Sequence, residues 1–146
     1  MIHIQKISEK KCLKKSAIIN IVTIVMDFLN YKNYELTIRI VDKDEIKNLN
    51  CKYRNKNNPT NVLSFNVDIP KEIKSNYIGD VVVCAEVIES EAIKQNKTFN
   101  SHFTHIIIHG VLHLLGYNHI EKTDKNEMED LEVKLLKKIG FDNPYL

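Results

Sequence analysis

Arginine is nearly absent from this chain: of its 21 basic residues only Arg39 and Arg54 are arginine, and the rest are lysine. With abundant isoleucine and asparagine, this reads as the coding bias of an AT-rich genome rather than as adaptation. Cysteine is scarce as well. Cys12, Cys51 and Cys84 are odd in number, scattered and without a CxxC pair, which argues against a disulfide framework or a cysteine zinc site and fits a reducing cytoplasm. Charge of one sign is also lacking. The net charge is +2, so a nucleic-acid partner would have to be met by a local basic patch. Nor is there a long hydrophobic run. Ala17 to Leu29 follows Lys10, Lys11, Lys14 and Lys15 in the manner of an export signal, but Asn20, Thr23 and Asp27 interrupt it. It is too short to span a bilayer, and Asn30-Tyr31-Lys32 stands where a small-residue cleavage site would be needed. An amphipathic helix of a soluble core is the better reading, with no membrane partner.

What is present fits one domain. The 146 residues are 43% hydrophobic and 27% charged, enough for a core without staples. Ile2–Gln5 alternates as a short strand, Lys11–Leu29 has helical periodicity, and Glu35–Val41 (ELTIRIV) alternates again. Asp42 is placed to cap a helix to about Tyr53, with Glu45 completing a capping box. Asn55–Asn61 reads as a loop, Val62–Val67 as a strand, and 68–76 as a second loop. Gly79-Asp80 leads into Val81–Cys84, a strand apolar on both faces. Three helices follow: Glu86–Asn96, about Ser101 to Leu115 ending at Gly116, and Thr123–Ile139 with residues 123–126 as its cap region, stopped by Gly140. The expectation is an α/β (α+β) domain over residues 1–146 with about four strands and five helices.

The chemistry concentrates in His109-Gly-Val-Leu-His113-Leu-Leu-Gly116-Tyr-Asn-His119. His109 and His113 are four apart, so on a helix their imidazoles share one face and can reach one ion. Gly116 permits a left-handed turn that sends the chain back, bringing His119 to the same ion. Three protein ligands leave a fourth position open, as in a catalytic rather than a structural zinc site. A lone histidine on an apolar helix is usually a core residue; three at offsets of zero, four and ten with a glycine at seven are not easily explained that way. His105 lies one turn before His109 and suits a supporting or structural role, as does His102; His3 is incidental. The spacing is that of the long zinc-protease motif HExxHxxGxxH, which would make this a zincin-like metal helix. However, Gly110 stands where those proteases carry their glutamate base, so the usual peptidase chemistry has no base.

This segment resembles the HGxLHLxGYDH signature of the YbeY family of bacterial rRNA-maturation endoribonucleases. Asn50–Phe65 is similar to that family's N-x-x-Y-R-x-K-x-x-P-T-D-V-L-S-F, and Gly79–Cys84 to its GDIVIC strand. The tail from His119 to Tyr145, with Glu127-Met128 and Pro144-Tyr145, is similar too. The resemblance implies a zinc-bound endoribonuclease, one Zn2+ per chain, acting on single-stranded RNA in maturation of the 3′ end of 16S rRNA and in quality control of the ribosome, with the small ribosomal subunit as partner. It implies a mostly parallel sheet covered by helices, metal binding by His109, His113 and His119, a catalytic role for His113, and a functional arginine at Arg54. Two positions depart from the pattern: Asn118 and Asn61 replace aspartates. An aspartate at 118 could raise the basicity of a histidine, and Asn61 can still cap its loop.

Lys52, Arg54 and Lys56 make the 50–65 block locally basic, with Tyr53 as a stacking face; on composition alone an ordinary solvated loop is the plainer reading. With the resemblance, Arg54 becomes a phosphate clamp, since a guanidinium offers paired donors to a phosphodiester. Ser64 has no base partner in sequence and reads as a strand residue. Water and the RNA 2′-OH both remain open as nucleophile, and a three-histidine site also accepts nickel or iron. Three other readings are a metallopeptidase-like hydrolase, a non-catalytic ribosome-assembly factor with a structural zinc, and an RNA-binding protein without metal.

Overall fold

Alternation along each strand decides which helix it meets. In the computed structural model, which describes residues 1–70 and 72–146, β1 spans Ile2–Lys6 and β2 spans Glu35–Val41. Position 71 belongs to the expected loop 68–76 and lies outside the described residues. Leu36, Ile38 and Ile40 of β2 enter the main core, while Val41, from the alternate set, enters a smaller one on the other face. β4, Tyr77–Cys84, splits the same way, with Val81 and Val83 on the main side and Val82 and Cys84 on the other. Its run from Val81 to Cys84 is buried throughout, as expected of a strand covered on both faces. β3, Val62–Asn66, pairs with β4 antiparallel, whereas β1–β2 and β2–β4 are parallel. The order β1-β2-β4-β3 makes a mostly parallel sheet with one antiparallel edge strand.

Five helices accompany it. α1 spans Lys15–Phe28, four residues later than its expected start. Its buried residues, Ile18, Ile21, Val22, Val25 and Met26, form one stripe, and no side chain caps its N-terminus. Five such side chains at roughly 1.5–3 kcal/mol each outweigh a missing cap worth about 1 kcal/mol. The helix therefore begins within a turn of the stripe's first residue, Ile18. α2, Lys43–Arg54, has Asp42 at its N-cap as expected, but the capping box does not form. The Glu45 carboxylate instead accepts from Arg39 at 3.4 Å. α2 covers the smaller core through Ile46 and Leu49. α3 spans Ala85–Lys94 and α4 Phe99–Leu114, with the Thr98 hydroxyl accepting from Ser101 N. α5 spans Lys122–Ile139, so the expected cap region 123–126 is already helical. No described helix is long and apolar enough to cross a membrane.

Candidate metal centre

α4 is the innermost helix of the main core: 11 of its 16 residues are buried. His109 and His113 are only half-buried and share the face that looks outward. Two backbone bonds end the helix, Gly116 N to His113 O and Tyr117 N to Leu112 O, both 3.0 Å. This is the Schellman closure, and it needs a left-handed residue, which Gly116 supplies at φ +100°. The turn brings exposed His119 back over the helix end, its ring 5.0 Å from that of His113 and 5.7 Å from that of His109. One ligand atom from each of His109, His113 and His119 lies within 4.8 Å of the others.

The tautomers are set by what holds the far side of each ring. His109 Nδ1 donates to Glu132 Oε1 at 2.6 Å, and His113 Nδ1 donates to the Tyr117 carbonyl at 3.0 Å. Each Nε2 then carries its lone pair inward, and the two Nε2 atoms are 3.0 Å apart. Ligands at 2.0–2.1 Å in a tetrahedron sit about 3.4 Å apart. The donor set therefore fits one tetrahedral cation. Burial first, then the neighbouring His109 and His119, lowers the His113 pKa to about 4, which keeps the ring neutral and ready to bind a metal.

Glu132 is fully buried and was not anticipated from the sequence. Besides His109 it holds His105 Nε2 at 2.9 Å and accepts from the Tyr145 hydroxyl. Burial alone would raise its pKa. Hydrogen bonds from His105, His109 and Tyr145 outweigh burial and hold it at about 2. His105 thus supports the site rather than joining it. His102, one turn earlier, is bonded to Glu91 at 2.9 Å and has no hydrogen bond to the triad, and His3 pairs with Glu35 far away.

Gly110 explains why the protease glutamate is missing. It faces the sheet, where a Cβ would lie 2.6 Å from Val81 Cγ1 and 2.8 Å from Val62 Cγ2. Its carbonyl accepts from Ser64 Oγ at 2.7 Å, so Ser64 is a packing residue, as expected. The Asn118 side chain makes no hydrogen bond to a histidine; its Oδ1 accepts from Ile120 N at 3.3 Å and shapes the turn carrying His119. Asn61 does not serve as the expected cap either. Its amide donates to Glu91 at 3.1 Å, a bond that an ionised aspartate could not make.

A cleft of about 610 Å³ opens between α4 and the α2–β3 loop. It is lined by all three histidines on one wall and by Arg54 and Lys56 on the other. Asn50, 4% exposed, fastens that second wall by donating to Asn58 O at 2.9 Å, a role the sequence did not reveal. Arg54 is exposed but tethered: Nη2 donates to Ser64 O at 3.1 Å and Nη1 to Tyr53 O at 3.3 Å. Tyr53 lies outside this lining, in a groove on the other side of Arg54, and Lys52 lines neither, its Nζ lying over the Tyr53 ring.

Comparison with known proteins gives this geometry a family. A model described as Endoribonuclease YbeY matches residues 3–140. The Endoribonuclease YbeY of Ruthia magnifica subsp. Calyptogena magnifica is 48% identical over 145 residues, covering 99% of this chain and 100% of that protein. The Endoribonuclease YbeY of Vesicomyosocius okutanii subsp. Calyptogena okutanii is 53% identical over 111 residues, covering 76% and 77% respectively. Among solved structures, the solution structure of the Thermotoga maritima protein TM1509 superposes with a TM-score of 0.64 at 28% identity, covering 95% of this chain and 89% of that one. The chain with three inward-facing imidazoles and no protease glutamate belongs to the YbeY endoribonuclease family.

Proposed function

We propose that this chain is a zinc-dependent endoribonuclease that cuts single-stranded RNA in the cleft between α4 and the α2–β3 loop. Its proposed substrate is ribosomal RNA in the cytoplasm, matured at the 16S 3′ end on the small ribosomal subunit. The observation that carries the reading is the facing of three imidazoles and a tethered arginine across one cleft.

The chain's own groups divide the work. His109, His113 and His119 hold the ion, and Glu132 and the Tyr117 carbonyl fix the first two rings. Bound Zn2+ supplies a Lewis acid for a phosphoryl oxygen and lowers the pKa of water. Arg54, already oriented by two carbonyls, offers its remaining N–H groups to the non-bridging oxygens, where charge builds in the transition state. Lys56 adds a second cation on the same wall. The closed packing at Gly110 leaves no place for a glutamate base and disfavours the peptidase reading.

The test uses zinc-loaded protein and a labelled single-stranded RNA. Arg54→Ala and His113→Ala should each lower kcat/KM, the former by about 10²–10³-fold, as for loss of one oxyanion donor. If both variants are folded and cut RNA as fast as wild type, the RNA is not cut at this site; if zinc-loaded wild type cuts no RNA, the enzyme reading fails. A 2′,3′-cyclic phosphate on the product would identify the 2′-OH as nucleophile and exclude direct attack by water. Elemental analysis should find one metal per chain.

A further inference from the structure

Arg54 stands between two grooves. On one side is the histidine cleft; on the other is a groove of about 610 Å³ between α2 and the β3–β4 face of the sheet. The two share Arg54, Ser64 and Asn66 in their linings, so one continuous surface passes over the arginine. We propose that the second groove is a nucleobase subsite, taking the unpaired base of a nucleotide adjacent to the phosphate held at Arg54, with Tyr53 as its stacking platform. The proposal rests on the RNA reading above and deepens it.

Four features of the groove support this occupant. First, both arginines of a chain with 21 basic residues line it, Arg39 at one end and Arg54 at the other. Second, it holds an open aromatic surface. Tyr53 is 50% exposed although its ring is braced edge-on by Phe65, with centroids 5.2 Å apart at 64°. A tyrosine present only to seal Phe65 would be expected to bury most of its ring. Third, cations lie over the rings: Lys52 Nζ is 5.1 Å from the Tyr53 centroid, on one face and leaving the other for a base, and the Arg54 guanidinium is 5.4 Å from that of Phe65. Fourth, the interior disfavours a phosphate. Asp80 lines the groove and is bonded by the Tyr77 hydroxyl, and Arg39 is already engaged by Glu45 at 3.4 Å and Gln5 at 3.2 Å. A backbone phosphate would face the Asp80 carboxylate, whereas a base would meet a π-face and an acceptor for its N–H groups. An RNA strand whose phosphate is at Arg54 must place a neighbouring nucleotide on one flank or the other. The groove offers a base on that flank what single-strand binders offer, a stacking face beside cations.

The test uses the zinc-loaded protein and a ten-nucleotide RNA made resistant to cleavage by 2′-O-methyl and phosphorothioate groups. 2-Aminopurine is walked along it, and binding is read by anisotropy. In wild type, the fluorescence should be quenched at one or two adjacent positions. Tyr53→Ala should remove the quench and weaken binding roughly 5- to 150-fold, the range for one stacked base, while Tyr53→Phe retains both. An abasic nucleotide at the quenched position should weaken wild type as much as Tyr53→Ala does, and should cost Tyr53→Ala nothing further. If RNA binds but the abasic cost is the same in wild type and Tyr53→Ala, or if Tyr53→Phe behaves as Tyr53→Ala, the subsite is overturned and the cleft reading stands. If wild type binds no single-stranded RNA, both fall.

Discussion

Among single side chains, Glu132 has the widest consequences, because a fully buried carboxylate survives only if its partners offset desolvation. Its partners are His109 of the histidine triad, a second histidine and a phenol. We expect Glu132→Gln to keep shape and acceptor but lose the charge that makes His109 a strong donor, lowering zinc affinity about 10–100-fold in a chelator competition. Unchanged affinity would reduce Glu132 to a folding role. The triad was legible because its logic is local: an offset of four on a helix, then a glycine turn. Glu132 was not, because it meets His109 across 23 residues of sequence. One trace of it existed. Glu132 stands in the apolar stripe of α5 with Met128, Leu135 and Leu136, where only a paired acid is tolerated.

At the scale of elements, the α4–sheet contact matters most. Gly110 lets α4 approach β3 and β4 closely, so Gly110→Ala must move both Val81 and Val62, or the helix itself. Overpacking of this kind costs about 1–3 kcal/mol, and we expect a lower urea midpoint for that variant while the folded fraction still binds one metal. A midpoint equal to wild type would mean that the contact relaxes freely. The number and type of elements were readable because apolar periodicity accounts for most of their stability. Their ends were less so. The capping box proposed at Asp42 and Glu45 lost to a pairing between Glu45 and Arg39, which requires β2 to lie beside α2. The start of α1 lies at Lys15, within a turn of its buried stripe, rather than at Lys11.

For the whole molecule, the mix of strands and helices indicated an α/β or α+β layer structure and the family resemblance implied a mostly parallel sheet, which three of the four strands obey. The antiparallel edge strand β3 was not readable, since no tight turn joins it to β4. Acid should destabilise the metal-free molecule over two pH windows. His113 has its pKa lowered from 6.5 to about 4, so between those values the unfolded chain takes up the proton that the folded one refuses. That share of stability is complete above pH 6.5 and lost by about pH 4. Glu132, lowered from 4.5 to about 2, behaves likewise over the lower window, its share present above 4.5 and lost towards 2. Urea midpoints at pH 7.5, 5.5, 4 and 3 should fall at every step. A flat profile from 7.5 to 4 would refute the His113 contribution.

The deep burial of α4 also constrains how such a protein can diverge. One helix is both the keel of the core and the holder of the imidazoles, so a change that retunes the metal is charged against folding as well. On the opposite wall of the cleft, Asn58 is exposed and held only through its backbone carbonyl, so its side chain bears no such double duty. Lineages adapting to new RNA targets, and engineers redirecting the enzyme, should find room to vary there and little on the helix.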